Sequence, residues 1–200
     1  MPPKLKSLSH LHTDMADLLR AGKLESLVQF DIDSLSTINA ERGIEVGDKV
    51  LEILENLLSG ETGWAYRTGG DQFTLLQVSR GRTWELCNAF RVACERNLEF
   101  EVTLSGGGVV IDSDYVLATS QSVNALNGAA AEVQASAKHH GRNSVLWLVG
   151  SDAEPDPVIS ETARKLYLNL ARINASAARQ MEVESRIDAL TGLYNRRGFE

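Results

Sequence analysis

Along the first 150 residues the apolar positions alternate between helical spacing and short continuous runs, the pattern of helices interleaved with buried strands. Leu8, Leu11, Met15, Leu18 and Leu19 recur at helical spacing, and Gly22 is placed to end that helix. SLVQFDID (26–33) reads as a buried strand closing on two carboxylates, and SLSTINAERG as a helix up to Gly43. GDKVLEILENLLSG (47–60) is an amphipathic helix carrying Val50, Leu51, Ile53, Leu54, Leu57 and Leu58, closed by Gly60. WAYR and QFTLLQV read as strands joined by TGGD, a hairpin signal. TWELCNAFRVACERN (83–97) predicts a helix with Leu86, Phe90, Val92 and Cys94 facing inward. EFEVTLSGGGVVI (99–111) is strand-like, its Gly106–Gly108 run marking a bulge or a close approach. SVNALNGAAAEVQASAKHHG (122–141) predicts a helix interrupted near Asn127–Gly128, and NSVLWLV (143–149) a last strand. The order implies an α/β fold, a mixed central sheet with helices on its faces.

After residue 149 the pattern changes. GSDAEPDPV (150–158) is a linker with two prolines in three residues. Ile159, Ala163, Leu166, Leu170, Ile173, Ala177 and Met181 then follow spacings of 4, 3, 4, 3, 4 and 4, a heptad seam with a slip near Met181. This predicts a long C-terminal helix over 159–187. It either packs on the domain or pairs with a second copy, making a homodimer through 159–187.

Composition narrows the function classes. The formal net charge of −7 argues against a general binder of nucleic acid or anionic membrane, yet leaves room for one nucleotide in a locally basic pocket. Cys87 and Cys94 lie seven apart, on one helix face but two turns from each other, so they read as separate buried thiols rather than a disulfide. The paired histidines His10/His12 and His139/His140 match no zinc spacing. The first residues lack the apolar core of a signal peptide, and no apolar run approaches the ~20 residues of a membrane span. A cytoplasmic location is expected.

The chemistry-bearing residues gather at predicted strand and helix ends. Asp31 closes a buried strand and Asp71 sits at the hairpin tip; if the strands are neighbours, the two converge. Two carboxylates and a backbone carbonyl suit Mg²⁺, which keeps its other positions for phosphate and water. Gly69 and Gly70 let a backbone N–H approach a phosphate without interference from a Cβ. Lys138 and Arg142, four apart at a helix end, are placed to reach the same phosphates. Asn39 and Asp48 are suited to a base edge, since a carboxylate accepts from both the N1–H and N2–H₂ of guanine. Singly, a solvated carboxylate or a plain Gly-Gly turn explains each feature as well.

Taken in order, FDIDSLSTINAERGIEVGDKVLEILENLL, YRTGGDQF, VTLSGGGVV and AKHHGRNSV make the chain resemble the GGDEF family of diguanylate cyclase domains over about residues 8–149. DALTGLYNRRGFE (188–200) is similar to that family's opening segment. The resemblance implies a GGDEF domain over 1–149, a linker, a signalling helix over 159–187, and the start of a second, truncated GGDEF domain at 188–200. It implies metal binding by Asp31 and Asp71, guanine reading by Asn39 and Asp48, and phosphate contacts from Gly69, Gly70, Lys138 and Arg142. Its activity joins two GTP molecules, one on each of two facing domains, into cyclic di-GMP with Mg²⁺.

The departures from the family pattern matter equally. Gln72 stands where the signature has a second acidic residue, and Ser36 where a phosphate-facing lysine is usual. Ala40 and Ile44 replace an aspartate and a histidine, Gly60 and Gly63 replace the Arg and Asp of the product-inhibition motif, and no opening segment precedes the first domain. No catalytic residue is therefore assigned. The expected role is a degenerate, regulatory GGDEF domain that still binds GTP with Mg²⁺ and controls a following cyclase domain; an active cyclase and a nucleotide-free dimerisation scaffold are the alternatives. DALTGLYNRRGFE belongs to the second domain in an intact tandem chain, and docking of it onto the first domain is the remaining possibility.

Overall fold

A computed structural model describes residues 5–61, 64–111 and 120–149. The linker at 150–158, the helix at 159–187, the segment at 188–200 and Gly63 lie outside these residues.

One mixed sheet organises the chain. A two-residue strand β1 (Lys6–Ser7) leads into α1 (Leu8–Arg20), followed by β2 (Ser26–Ile32), α2 (Leu35–Arg42) and α3 (Ile44–Ser59). The hairpin of β3 (Ala65–Arg67) and β4 (Gln72–Leu76) comes next, then α4 (Arg80–Leu98), β5 (Leu104–Val110), α5 (Ser120–His139) and β6 (Val145–Leu148). The spatial order is β1-β3-β4-β2-β5-β6. The outer pairs β1–β3 and β5–β6 are parallel; the inner pairs are antiparallel.

Period-two alternation sends successive residues of each strand into different cores. Leu27, Tyr66, Leu76 and Val109 pack with Leu11, Met15 and Leu19 of α1 and Val123, Leu126, Ala130 and Val133 of α5. Val28, Phe30, Ile32, Phe73 and Leu75 pack with Val50, Leu54 and Leu58 of α3 and Leu86, Phe90 and Cys94 of α4. Both faces are thus covered, as expected of β2, whose burial is nearly continuous.

Several details differ from the sequence reading. The helix α5 runs unbroken through Asn127–Gly128. Its packing overrides the local propensity: a Cβ on Gly107 of β5 would lie 2.1 Å from Ala130 O and 2.2 Å from Gln134 N, so the helix backbone lies directly on the strand. The glycine run on β5 is therefore a close approach, with Gly108 likewise filled by the Trp147 ring. The strand itself is shorter than 99–111, because Glu99 adopts a left-handed conformation (φ 64°) at the end of α4. Val92 is half-buried and belongs to neither core, whereas Thr83 is fully buried on α4. The helix α3 begins three residues early, at Ile44, because Gly43 (φ 91°) turns the chain directly from α2 into α3.

Candidate nucleotide and metal site

The carboxyl end of β2 builds the site. Asp31 pairs in register with Gln72 on β4 and with Ser105 on β5, so these three side chains share the sheet face that α5 covers. From the last turn of α5, Lys138 places its Nζ 2.6 Å from Asp31 Oδ1. Burial raises the pKa of Asp31 above its ordinary value, Lys138 opposes that rise, and the neighbouring charges of Asp71 and Asp33 add to it. The predicted convergence of Asp31 and Asp71 is met by adjacent antiparallel strands, with the Ile32 N–H donating to Asp71 O at 3.4 Å.

Asp33 is the more tightly held carboxylate. It accepts from Thr103 Oγ1 at 2.7 Å, Ser105 Oγ at 2.7 Å and the Asn143 N–H at 3.1 Å. The last of these ties down the turn after α5, where Gly141, Arg142 and Asn143 all have positive φ. Arg142 therefore lies in a left-handed turn past the helix and not on its end as predicted; its N–H donates to Ala137 O at 3.2 Å and its side chain is exposed. Thr103 and Ser105 alternate along VTLSGGG, but their shared partner lies 70 and 72 residues earlier in the chain.

The hairpin tip is held from inside the domain. Arg67 donates through Nε to Gly69 O at 3.2 Å and through Nη2 to Gly70 O at 2.5 Å, while its Nη1 lies 2.5 Å from Glu55 Oε1 on α3. This clamp was missed in the sequence, where Arg67 carried no role. Gly69 donates its N–H to Gln72 O at 3.2 Å, so of the two predicted phosphate-side N–H groups this one already has an acceptor. The Gln72 side chain lies over Gly69, 3.1 Å from where a Cβ would stand. Gly70 has no protein atom within 4 Å of its Cβ position and does not have positive φ, so nothing inside the fold requires a glycine there.

On the other sheet face α2 and α3 cross at Asn39 and Gly47. A Cβ on Gly47 would fall 1.8 Å from Asn39 Oδ1, so only glycine allows the asparagine to sit there. Asn39 Oδ1 is buried and has no hydrogen-bond partner. Asp48, adjacent to Gly47, is exposed. Ser36, Ala40 and Ile44 are all exposed as well.

Asp31 and Asp71 are the residues that could hold Mg²⁺, which accepts one or two carboxylates and leaves its remaining positions to phosphates and water. Among the described residues no group of three or more His, Cys, Asp or Glu forms a closed metal cage. Two surface grooves, of about 560 Å³ between α4 and β6 and about 630 Å³ between α3 and α4, are lined by neither Asp31 nor Asp71; the first reaches Asn143, whose N–H donates to Asp33. Cys87 and Cys94 are free, with burial pushing both thiols up to about 12, so they are inert toward this chemistry. Among the described residues no helix is long and apolar enough to cross a membrane.

Comparison with known proteins agrees with this geometry. A family model described as "Diguanylate cyclase, GGDEF domain" matches residues 4–144. The chain is 27% identical over 146 residues to diguanylate cyclase VdcA of Vibrio cholerae, covering 68% of this chain but only 42% of that protein. The GGDEF domain of YfiN (TpbB) from Pseudomonas aeruginosa superposes with a TM-score of 0.58 at 20% identity, covering 74% of this chain and 98% of that one. The active GGEEF domain of a diguanylate cyclase from Vibrio cholerae gives a TM-score of 0.58 at 20% identity, covering 74% and 100%. The coiled coil and GGDEF domain of DgcB from Caulobacter crescentus, solved with c-di-GMP, gives 0.54 at 19%, covering 70% and 78%. At such identities these structures establish a shared fold. With the family match spanning well over half its residues, this chain belongs to the GGDEF family of diguanylate cyclase-like domains in c-di-GMP signalling.

Proposed function

We propose that this domain binds GTP with Mg²⁺ but has lost turnover, and that it regulates a following diguanylate cyclase domain through the segment 159–187. The observation that carries the reading is Asn39 Oδ1, a buried acceptor without a donor, held against Gly47, whose Cβ would fall 1.8 Å from it. A buried acceptor left unpaired costs about 1–3 kcal/mol, and a donor from a guanine edge removes that cost. Asp48 lies one residue from Gly47 to accept from the same base. Gly70 leaves the tip open to a phosphate, and Lys138 and Arg142 supply the positive charge for it. Mg²⁺ bound by Asp31 and Asp71 would neutralise phosphate charge.

The loss of turnover rests on Gln72 and Ser36. An amide ligates through its carbonyl but cannot accept a proton, and loss of such a group typically costs ~10²–10⁴ in rate. Serine at position 36 cannot reach as a lysine would, and a charge-assisted hydrogen bond is worth ~1.5–3 kcal/mol. In this reading the parent chain carries a second GGDEF domain after residue 187 and dimerises through 159–187.

Calorimetric titration of GTP with Mg²⁺, using ATP as control, together with product analysis after incubation with GTP, tests the proposal. Saturable GTP binding with ATP excluded and no cyclic dinucleotide is expected. Absence of GTP binding would leave a nucleotide-free scaffold, and formation of cyclic di-GMP would make the domain an active cyclase.

A further inference from the structure

Lys138 does something that holding a phosphate does not require. It is the ion-pair partner of Asp31 among the described residues, with Nζ 2.6 Å from Oδ1. The Asp31 side chain is 8% exposed and that of Lys138 is 37% exposed, so the carboxylate is fixed in place while the ammonium stands at the solvent boundary. Asp31 has little else to balance its charge. Asp71 and Asp33 are negative neighbours, and Asp33 is already committed to Thr103, Ser105 and Asn143. An ammonium at hydrogen-bond distance from one carboxylate oxygen stands close to where a cation bound by that carboxylate must stand. The two positive charges repel strongly in a half-buried setting. Lysine can resolve the conflict because its charge sits at the end of a flexible four-carbon stem. The base of that stem is firm: Ala137 is buried and α5 rests on Gly107.

We propose that Lys138 is an internal counter-ion of Asp31 that must transfer to the nucleotide's phosphates before a divalent cation settles on the carboxylate, so that metal and nucleotide bind as a coupled pair. This rests on the reading of the site as a pocket for a nucleotide and its metal. The transfer conserves pairing: the ammonium exchanges a carboxylate for a phosphate, and Asp31 exchanges the ammonium for the metal. Without nucleotide the ammonium has no anion to move to, and the metal meets an already neutralised carboxylate. By linkage, the factor by which nucleotide tightens the metal equals the factor by which the metal tightens the nucleotide.

The test uses the full chain and Mn²⁺ as the metal probe, with free Mn²⁺ measured by electron paramagnetic resonance in the absence and presence of GTP. Without nucleotide the wild-type chain is expected to bind Mn²⁺ weakly. Lys138→Gln, which keeps most of the stem and removes the charge, should bind it about tenfold more tightly, the size of effect a single like charge at this range produces. Adding Asp31→Asn to that variant should abolish the gain. With GTP present the wild-type affinity should rise, and the rise should shrink in Lys138→Gln. Lys138→Met serves as a second variant, and thermal unfolding confirms that each is folded. If the nucleotide-free Lys138 variants bind Mn²⁺ no more tightly than wild type, including no binding in either, the counter-ion role is overturned. That arm contains no GTP, so it decides the matter separately from a wild-type chain that fails to bind nucleotide.

Discussion

The two flanks of the site differ in how their side chains are held. On the α5 side Asp31, Asp33, Thr103, Ser105, Lys138 and Asn143 bond to one another, and both carboxylates are buried. On the α2–α3 side Ser36, Ala40 and Ile44 are exposed, Ile44 at 70%. The residues bonded to one another lie on the α5 flank, whereas Ser36, Ala40 and Ile44 and, at the hairpin, the Gln72 side chain stand exposed. The physical lesson is that the exposed positions of such a site can change with little effect on their neighbours, whereas each change on the α5 flank also disturbs a bonded partner.

The comparison breaks most visibly if α5 tolerates a side chain on Gly107. Gly107→Val should destabilise the domain by about 3 kcal/mol or more in denaturant unfolding, because the overlap is with helix backbone. Next in size, Asp33→Ala leaves two hydroxyls and the Asn143 N–H without an acceptor and should cost about 2–3 kcal/mol by the same measurement.

Asp31→Asn should behave oppositely to Asp33→Ala although it lies on the same strand end. Burial raises the Asp31 pKa, so the folded state holds its proton more tightly than the unfolded chain does. Ionising Asp31 therefore costs stability as pH rises through the carboxylate range, and the cost is absent in acid. The variant should be at least as stable as wild type near neutral pH, with the difference shrinking as pH falls; unfolding curves at several pH values check both sign and window. The smallest effects belong to Ser36→Lys and Gln72→Glu. Each should change stability by less than about 0.5 kcal/mol, while Ser36→Lys should tighten GTP binding about tenfold by calorimetry. A large stability change at Ser36 would mean that the exposed flank is not independent of the fold.

Much of this was legible in the sequence, where the signals are local. The hairpin, the strand ending at Asp31 and the amphipathic stripe of α3 follow from period and turn chemistry. What was missed depends on partners far along the chain. Gly128 looks like a helix break, but it has open space around it and α5 is held by Ala129, Ala130 and Val133. Arg142 looks like the next turn of a helix until the Asn143 N–H is seen bonded to Asp33, 110 residues earlier. The short β1 has no periodicity to read, and the role of Arg67 depends on Glu55 across a helix and on carbonyls that only the folded tip presents.

The pairing of β1 with β3 has a mechanical meaning. Ser7 is in register with Arg67, the residue that grips the carbonyls of Gly69 and Gly70. One position earlier, the buried Tyr66 donates its hydroxyl to Asp14 Oδ2 at 2.7 Å, and Lys6 lies 2.8 Å from the same oxygen. The hairpin is therefore no free flap. It is a plank nailed along one edge to the segment that leads into α1, and that fastening lies within a few residues of the glycine tip.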